Sequence, residues 1–190
     1  NLYMGNKADV KVGKKAITLS QETNYPWEGA MTLKVGMKGS LKTQIRLRVP
    51  GWCKDYTLAV NGEAFDAPVE KGYAVVDRKW NDGDKIEINF DMPVEVVAAD
   101  PRVKEDDGMR AVQRGPLVYC IEEADNKDDF DGLRIAEDAS FDAAFESEKL
   151  RGIVSIAAHV GDKTLNYIPY YSWDNREAGK MKVWVPLVGE

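Results

Sequence analysis

Histidine occurs once, at position 159, and cysteine twice, at 53 and 120, in a chain of 190 residues. One imidazole leaves Ser-His-Asp hydrolysis a single candidate base, and no serine sits in a nucleophile elbow. Zinc is poorly served, because neither cysteine has a second ligand at the short spacing such sites use. Two distant cysteines do not make a disulfide scaffold, and their apolar neighbours point to buried free thiols. The glycines fall in turns rather than in a phosphate-cradling loop. No apolar run approaches the roughly 18–20 residues of a membrane span, and no run of like charge is long enough to suggest a disordered tail.

What is present is ordinary for a globular protein: 44% hydrophobic and 31% charged residues. Basic residues number 26 and acidic residues 32, a net charge of −6. That balance excludes nucleic acid as a partner, since phosphate neutralisation needs a clustered basic surface. The chain opens on Asn1 without a signal peptide, which suggests residues removed upstream. The compartment stays open between periplasm and cytoplasm.

The dominant period is two. Met31, Leu33, Val35 and Met37 alternate with Thr32, Lys34 and Gly36, and Ile45, Leu47 and Val49 with Gln44, Arg46 and Arg48. Ile86, Ile88 and Phe90 repeat the pattern, as do Val154, Ile156, Ala158 and Val160. Such alternation marks strands with one face on a core. Gly13, Asn61-Gly62, Lys71-Gly72, Asn81-Asp82-Gly83-Asp84 and Gly161-Asp162 supply the turns between them. The best helical candidate is Asp142–Leu150 with Asp142 as cap, although the same residues continue a strand from Phe141 equally well. The expected fold is all-β, two antiparallel jelly-roll-like β-sandwiches in tandem, residues 1–99 and 100–190. Trp80–Met92 and Val94–Ala99 read as the last strands of the first sandwich. Pro116 in Arg114-Gly115-Pro116 predicts an edge or a bulge.

Candidate binding residues cluster in Ile168-Pro169-Tyr170-Tyr171-Ser172-Trp173-Asp174-Asn175-Arg176, where aromatic and polar content is densest. Trp27, Trp52, Trp80, Trp173 and Trp184 could form a sugar-stacking platform or fill cores and seams. Polar neighbours single out Trp27 and Trp173 as exposed. Trp27, Trp173, Asp174, Asn175 and Arg176 are therefore the substrate-binding candidates. Read as one strand, the stretch covers both faces and is expected to pack between a core and another protein surface, with 174–176 capping the loop toward that partner. The acidic run 122–132 reads as a solvated loop. Lys127 stands where a calcium loop aligned on Asp131-Gly132 needs an acid or amide. No residue is put forward as catalytic or metal-ligating.

Several phrases occur in a telling order: Asn1-Leu2-Tyr3-Met4-Gly5, Gln21-Glu22-Thr23-Asn24-Tyr25-Pro26-Trp27-Glu28-Gly29, Leu47-Arg48-Val49-Pro50-Gly51-Trp52 and Val60-Asn61-Gly62. Gly72-Tyr73, Trp80-Asn81-Asp82-Gly83-Asp84, Gln113-Arg114-Gly115-Pro116-Leu117-Val118-Tyr119 and the 168–176 stretch follow. The series resembles the C-terminal part of glycoside hydrolase family 127, formerly domain-of-unknown-function family 1680, whose characterised members are β-L-arabinofuranosidases. The resemblance implies a non-catalytic β region that braces an N-terminal (α/α)6 barrel. In the family that barrel holds a zinc-bound cysteine nucleophile, a glutamate ligand and a glutamate acid/base, ahead of the phrase that opens this chain. Cys53 and Cys120 match neither cysteine position of that cluster. Implied partners are the barrel of the same polypeptide, an arabinose-containing glycan and a second copy in a homodimer. Two further readings stay open: an independent carbohydrate-binding module, and a ligand-free structural sandwich.

Overall fold

The computed structural model describes residues 1–188 and contains no α-helix among them. The chain divides into two units between Met92 and Pro93. The first carries β1 (Asn6–Val12), β2 (Lys15–Thr23), β3 (Ala30–Met37), β4 (Ser40–Arg48), β5 (Tyr56–Val60), β6 (Glu63–Ala64), β7 (Val69–Glu70), β8 (Tyr73–Asn81) and β9 (Lys85–Phe90). A six-stranded sheet runs β1-β2-β3-β9-β5-β6 and a three-stranded sheet β4-β8-β7, all pairs antiparallel. Both feed one core. Ile17, Leu33, Val35, Ile86 and Ile88 enter it from the larger sheet, and Leu47, Val76 and Trp80 from the smaller. Each such side chain contributes about 1.5–3 kcal/mol by leaving water, the source of the sandwich's stability.

The turn residues take the conformations their chemistry favours. Asn61 and Gly62 have φ of 54° and 84°, and Lys71 and Gly72 of 51° and 80°, as tight hairpins require. The turns also hold one another. The Asp84 carboxylate accepts from the Asn61 amide at 2.9 Å and from the Asn81 backbone N–H at 2.8 Å. Asn61 in turn accepts from the Lys85 N–H at 2.8 Å. Asp84 is buried, and its hydrogen bonds and Arg78 hold its carboxyl below the usual range against the opposing effect of burial.

The second unit carries β10 (Val94–Ala98), β11 (Met109–Arg114), β12 (Leu117–Glu122), β13 (Ser140–Glu146), β14 (Ile153–Val160), β15 (Lys163–Pro169), β16 (Met181–Lys182) and β17 (Val185–Pro186). Its eight-stranded sheet runs β10-β11-β12-β15-β14-β13, with β16 on β12 and β17 on β11. One face, through Val112, Tyr119, Ile121, Ile156, Leu165 and Tyr167, packs against Phe130, Leu133 and Ile135 from the connection before β13. That connection thus forms the second layer. Its acidic stretch is anchored by Lys182, whose ammonium donates to the Phe130 and Asp131 carbonyls at 3.0 and 3.1 Å and lies 5.0 Å from the Phe130 ring centre.

Four expectations change. The boundary lies at Met92/Pro93 rather than near Asp100, because β10 pairs along its length with β11 and so opens the second sheet. Asp142–Leu150 is not helical: β13 runs through Ser140–Glu146, every residue paired with β14. Gly115-Pro116 is a hairpin loop between the paired Arg114 and Leu117, so the proline's missing N–H costs no ladder bond. The strand expected through residue 173 ends at Pro169, and Tyr170–Ser172 forms a 3-10 turn.

Candidate functional site

The 3-10 turn decides where the aromatic stretch goes. In β12, Leu117, Tyr119 and Ile121 face the core while Val118, Cys120 and Glu122 face the opposite side. Cys120 lies across from Ile168 of β15, and both are fully buried. Burial and the Glu122 carboxylate push the Cys120 thiol up to about 12, with Arg176 acting against them. This is a structural, unreactive thiol.

Glu122, at 6% exposure, is the polar centre of this face. One of its oxygens accepts the Asp174 backbone N–H at 2.7 Å, and the other accepts the Arg176 guanidinium. Arg176 also forks onto Asp125, with both bonds at 2.7 Å, and Lys149 reaches Asp125 at 3.2 Å. Hydrogen bonds to Asp125, and next to Glu122, raise the Arg176 pKa despite partial burial. For Asp125, burial opposes the charge, but Arg176 and Lys149 outweigh it and hold the carboxyl below the usual range. Two acids and two bases neutralise one another here.

Beside this network lies an open cavity of about 740 Å³. One wall is Tyr171, Ser172, Asn175 and Arg176. The other is the Glu148–Arg151 turn between β13 and β14. That turn is strained: Leu150, Arg151 and Gly152 take φ of 51°, 68° and 95° in succession. Left-handed backbone at a leucine and an arginine is uncommon, and strain of this kind gathers at functional sites. A Cβ on Gly152 would meet the Phe145 ring at 3.0 Å, so the turn needs glycine there for space as well as for φ.

The five sequence candidates separate. Trp173 is 38% exposed, while Trp80 is fully buried and Trp27, Trp52 and Trp184 are half-buried. Trp27 belongs to the first unit, on a turn where its N–H reaches the Asn24 carbonyl at 2.9 Å. Around that turn Tyr25 packs on Tyr3, and Tyr3 and Trp52 on Phe90, with ring centres 5.8, 4.9 and 6.0 Å apart. Gly29 lies so close to the Phe90 carbonyl that a Cβ would sit 1.9 Å from its oxygen. The Tyr-Pro-Trp-Glu-Gly phrase is thus a packing motif. Asp174, at φ 58°, caps its loop, and Asn175 donates to the Ser172 and Trp173 carbonyls at 3.1 and 3.0 Å. Arg176, expected to reach outward, is turned into its own unit by two carboxylates.

Only Asn175 and Arg176 of the five line the cavity. Glu122, Asp125, Lys149 and Arg151 were not candidates. Glu122 shares strand parity with Cys120, a signal that could have flagged it as buried. The turn cations carried no local signal.

Zinc, implied by the family resemblance, does not fit these residues. No group of three or more His, Cys, Asp or Glu side chains able to hold a metal occurs among the described residues. Cys53 and Cys120 also lie in different units, so they share no donor set. His159 is engaged with Asp142 at 2.9 Å and Thr164 at 3.2 Å. No described helix is long and apolar enough to cross a membrane.

Comparison with known proteins supplies the wider setting. Residues 1–92 match the model of the β-L-arabinofuranosidase, GH127 middle domain, and residues 94–186 that of the glycoside hydrolase family 127 C-terminal domain. The chain is 33% identical over 211 aligned positions to the non-reducing end β-L-arabinofuranosidase of Bifidobacterium longum subsp. longum, covering 96% of this chain and 32% of that protein. A GH127 β-L-arabinofuranosidase from Geobacillus stearothermophilus T6 superposes with a TM-score of 0.91 at 36% identity, over 98% of this chain and 33% of its own. A second GH127 β-arabinofuranosidase gives 0.89 at 36% identity, over 98% and 34%. The chain spans about a third of the length of these relatives.

Proposed function

The chain belongs to glycoside hydrolase family 127, matching its middle and C-terminal domains, and on that premise we propose that it is the bracing β region of a longer retaining β-L-arabinofuranosidase. The observation that carries the reading is coverage: nearly all of this chain aligns, yet it accounts for a third of each arabinofuranosidase compared. The remaining length would hold the catalytic barrel, with its cysteine nucleophile and zinc. No step of that chemistry is routed through residues of this chain.

The side chains here do what a bracing region needs. Each unit owns a buried apolar core, and the Glu122 carboxylate on the second sheet's outer face is satisfied within its unit. The test is activity of the 190-residue chain on an aryl β-L-arabinofuranoside. The expected result is release no faster than the buffer blank, and hydrolysis by a polypeptide extended to the relatives' full length. Turnover by the chain alone overturns the proposal.

A further inference from the structure

We propose that the cavity between the 3-10 turn and the Glu148–Arg151 turn is an ancillary binding site for a neutral oligosaccharide; this rests on the glycoside hydrolase reading but concerns a site without catalytic groups. Three observations carry it. Ser172 is 6% exposed and lines the cavity, and among the described residues its hydroxyl has no hydrogen-bond partner. Such a group, nearly buried but open to one cavity, is left for a ligand or water to satisfy. Arg151 lines the opposite wall with no partner among the described residues, held there by a backbone at φ 68°. Tyr171, 59% exposed on the same wall as Ser172, offers an aromatic ring.

Charge decides the ligand class. Arg176 and Lys149 are already neutralised by Glu122 and Asp125 behind the wall, and Glu148 is the acidic residue that lines the cavity itself. An anion would find one unspent cation, Arg151, on the same turn as the Glu148 carboxylate. Hydroxyl-rich neutral rings suit the set better. Ser172 and Arg151 donate, Glu148 and the Asn175 carbonyl accept, and Tyr171 can cover an apolar sugar face. The site differs from a platform on Trp27 or Trp173, neither of which lines the cavity.

The experiment titrates the isotopically labelled 190-residue chain with arabinan-derived tetrasaccharide, with tetragalacturonate and with sulfate in parallel, following amide shifts by NMR. The expected result is saturable shifts confined to residues 148–152 and 171–176 with the neutral tetrasaccharide. Arg151→Ala and Tyr171→Ala should each weaken binding about five-fold, while Trp27→Ala leaves it unchanged. Absence of shifts with the neutral sugar overturns the proposal, as does stronger binding of tetragalacturonate or sulfate that depends on Arg151. Either failure leaves the inactive-chain result standing. Hydrolysis of the aryl arabinofuranoside by the chain would instead sink the family role, whatever the cavity binds.

Discussion

Arg176 joins two carboxylates that lie 54 and 51 residues earlier in the chain, and its deletion strands one of them in a buried place. Glu122's side chain is 7% exposed and that of Arg176 is 25%, so the pair is only partly screened. Arg176→Ala should cost about 2–3 kcal/mol, less than a fully buried pair would because of that screening. Urea midpoints at unchanged slope measure it, and a loss below about 0.5 kcal/mol would mean a solvated, idle contact. The same network sets an acid limb. Asp125 is depressed in the fold, so its contribution is complete above the ordinary carboxyl value, about 3.9, and fades as pH falls through the lower folded value. Arg176→Ala should flatten the part of the urea-midpoint profile below about pH 4 that Asp125 supplies. Tyr167 presents the opposite case, a buried hydroxyl with no hydrogen-bond partner among the described residues, as does Tyr119. Tyr167→Phe should therefore be neutral or stabilising within about 1 kcal/mol in the same assay, and a clear loss would point to a buried water satisfying it. At this scale the sequence showed that 168–176 was unusual but could not name its partners, because pairing across more than fifty residues leaves no local trace.

Among the elements, the hairpins were the most legible, since Asn-Gly and Lys-Gly turns are chosen by local backbone chemistry. Their cross-bracing was not. Asp84 ties its own turn, β8 to β9, to the β5–β6 turn through Asn61. Asp84→Ala should cost about 2 kcal/mol by leaving the buried partners unsatisfied. Amide exchange should quicken at both turns together, and quickening at one alone would show that the brace does not couple them. The choice between helix and strand at 142–150 was open for a related reason. The apolar spacing there suited either element, and seven paired residues along β14 decided the matter. The segment after Pro169 failed as a strand because it folds into a 3-10 turn, which brings Tyr171 and Ser172 to the cavity instead of alternating them across a sheet.

At the scale of the whole molecule the division at Met92/Pro93 has a direct consequence. Residues 1–92 and residues beginning at Pro93 should each fold when produced separately, because each owns a core. A fragment beginning at residue 100 lacks β10, loses the contacts of Val94 and Val96 with the second core and bares the edge of β11. Its melting temperature should fall by at least about 8 °C relative to the longer fragment, with aggregation at the exposed edge. Equal melting of the two would place the boundary after β10. The all-β class, the tandem division and the family were determined by the sequence itself, because alternation, turn chemistry and ordered phrases are local or linear. The strand that begins the second unit, the inward turn of Arg176 and the cavity beside it were decided only by tertiary structure. Each depends on which distant backbone or charge arrives alongside. The stretch 168–176 thus looked like a binding surface by composition, and the fold turned its arginine into the unit and left its tryptophan off the cavity that Ser172 and Tyr171 line.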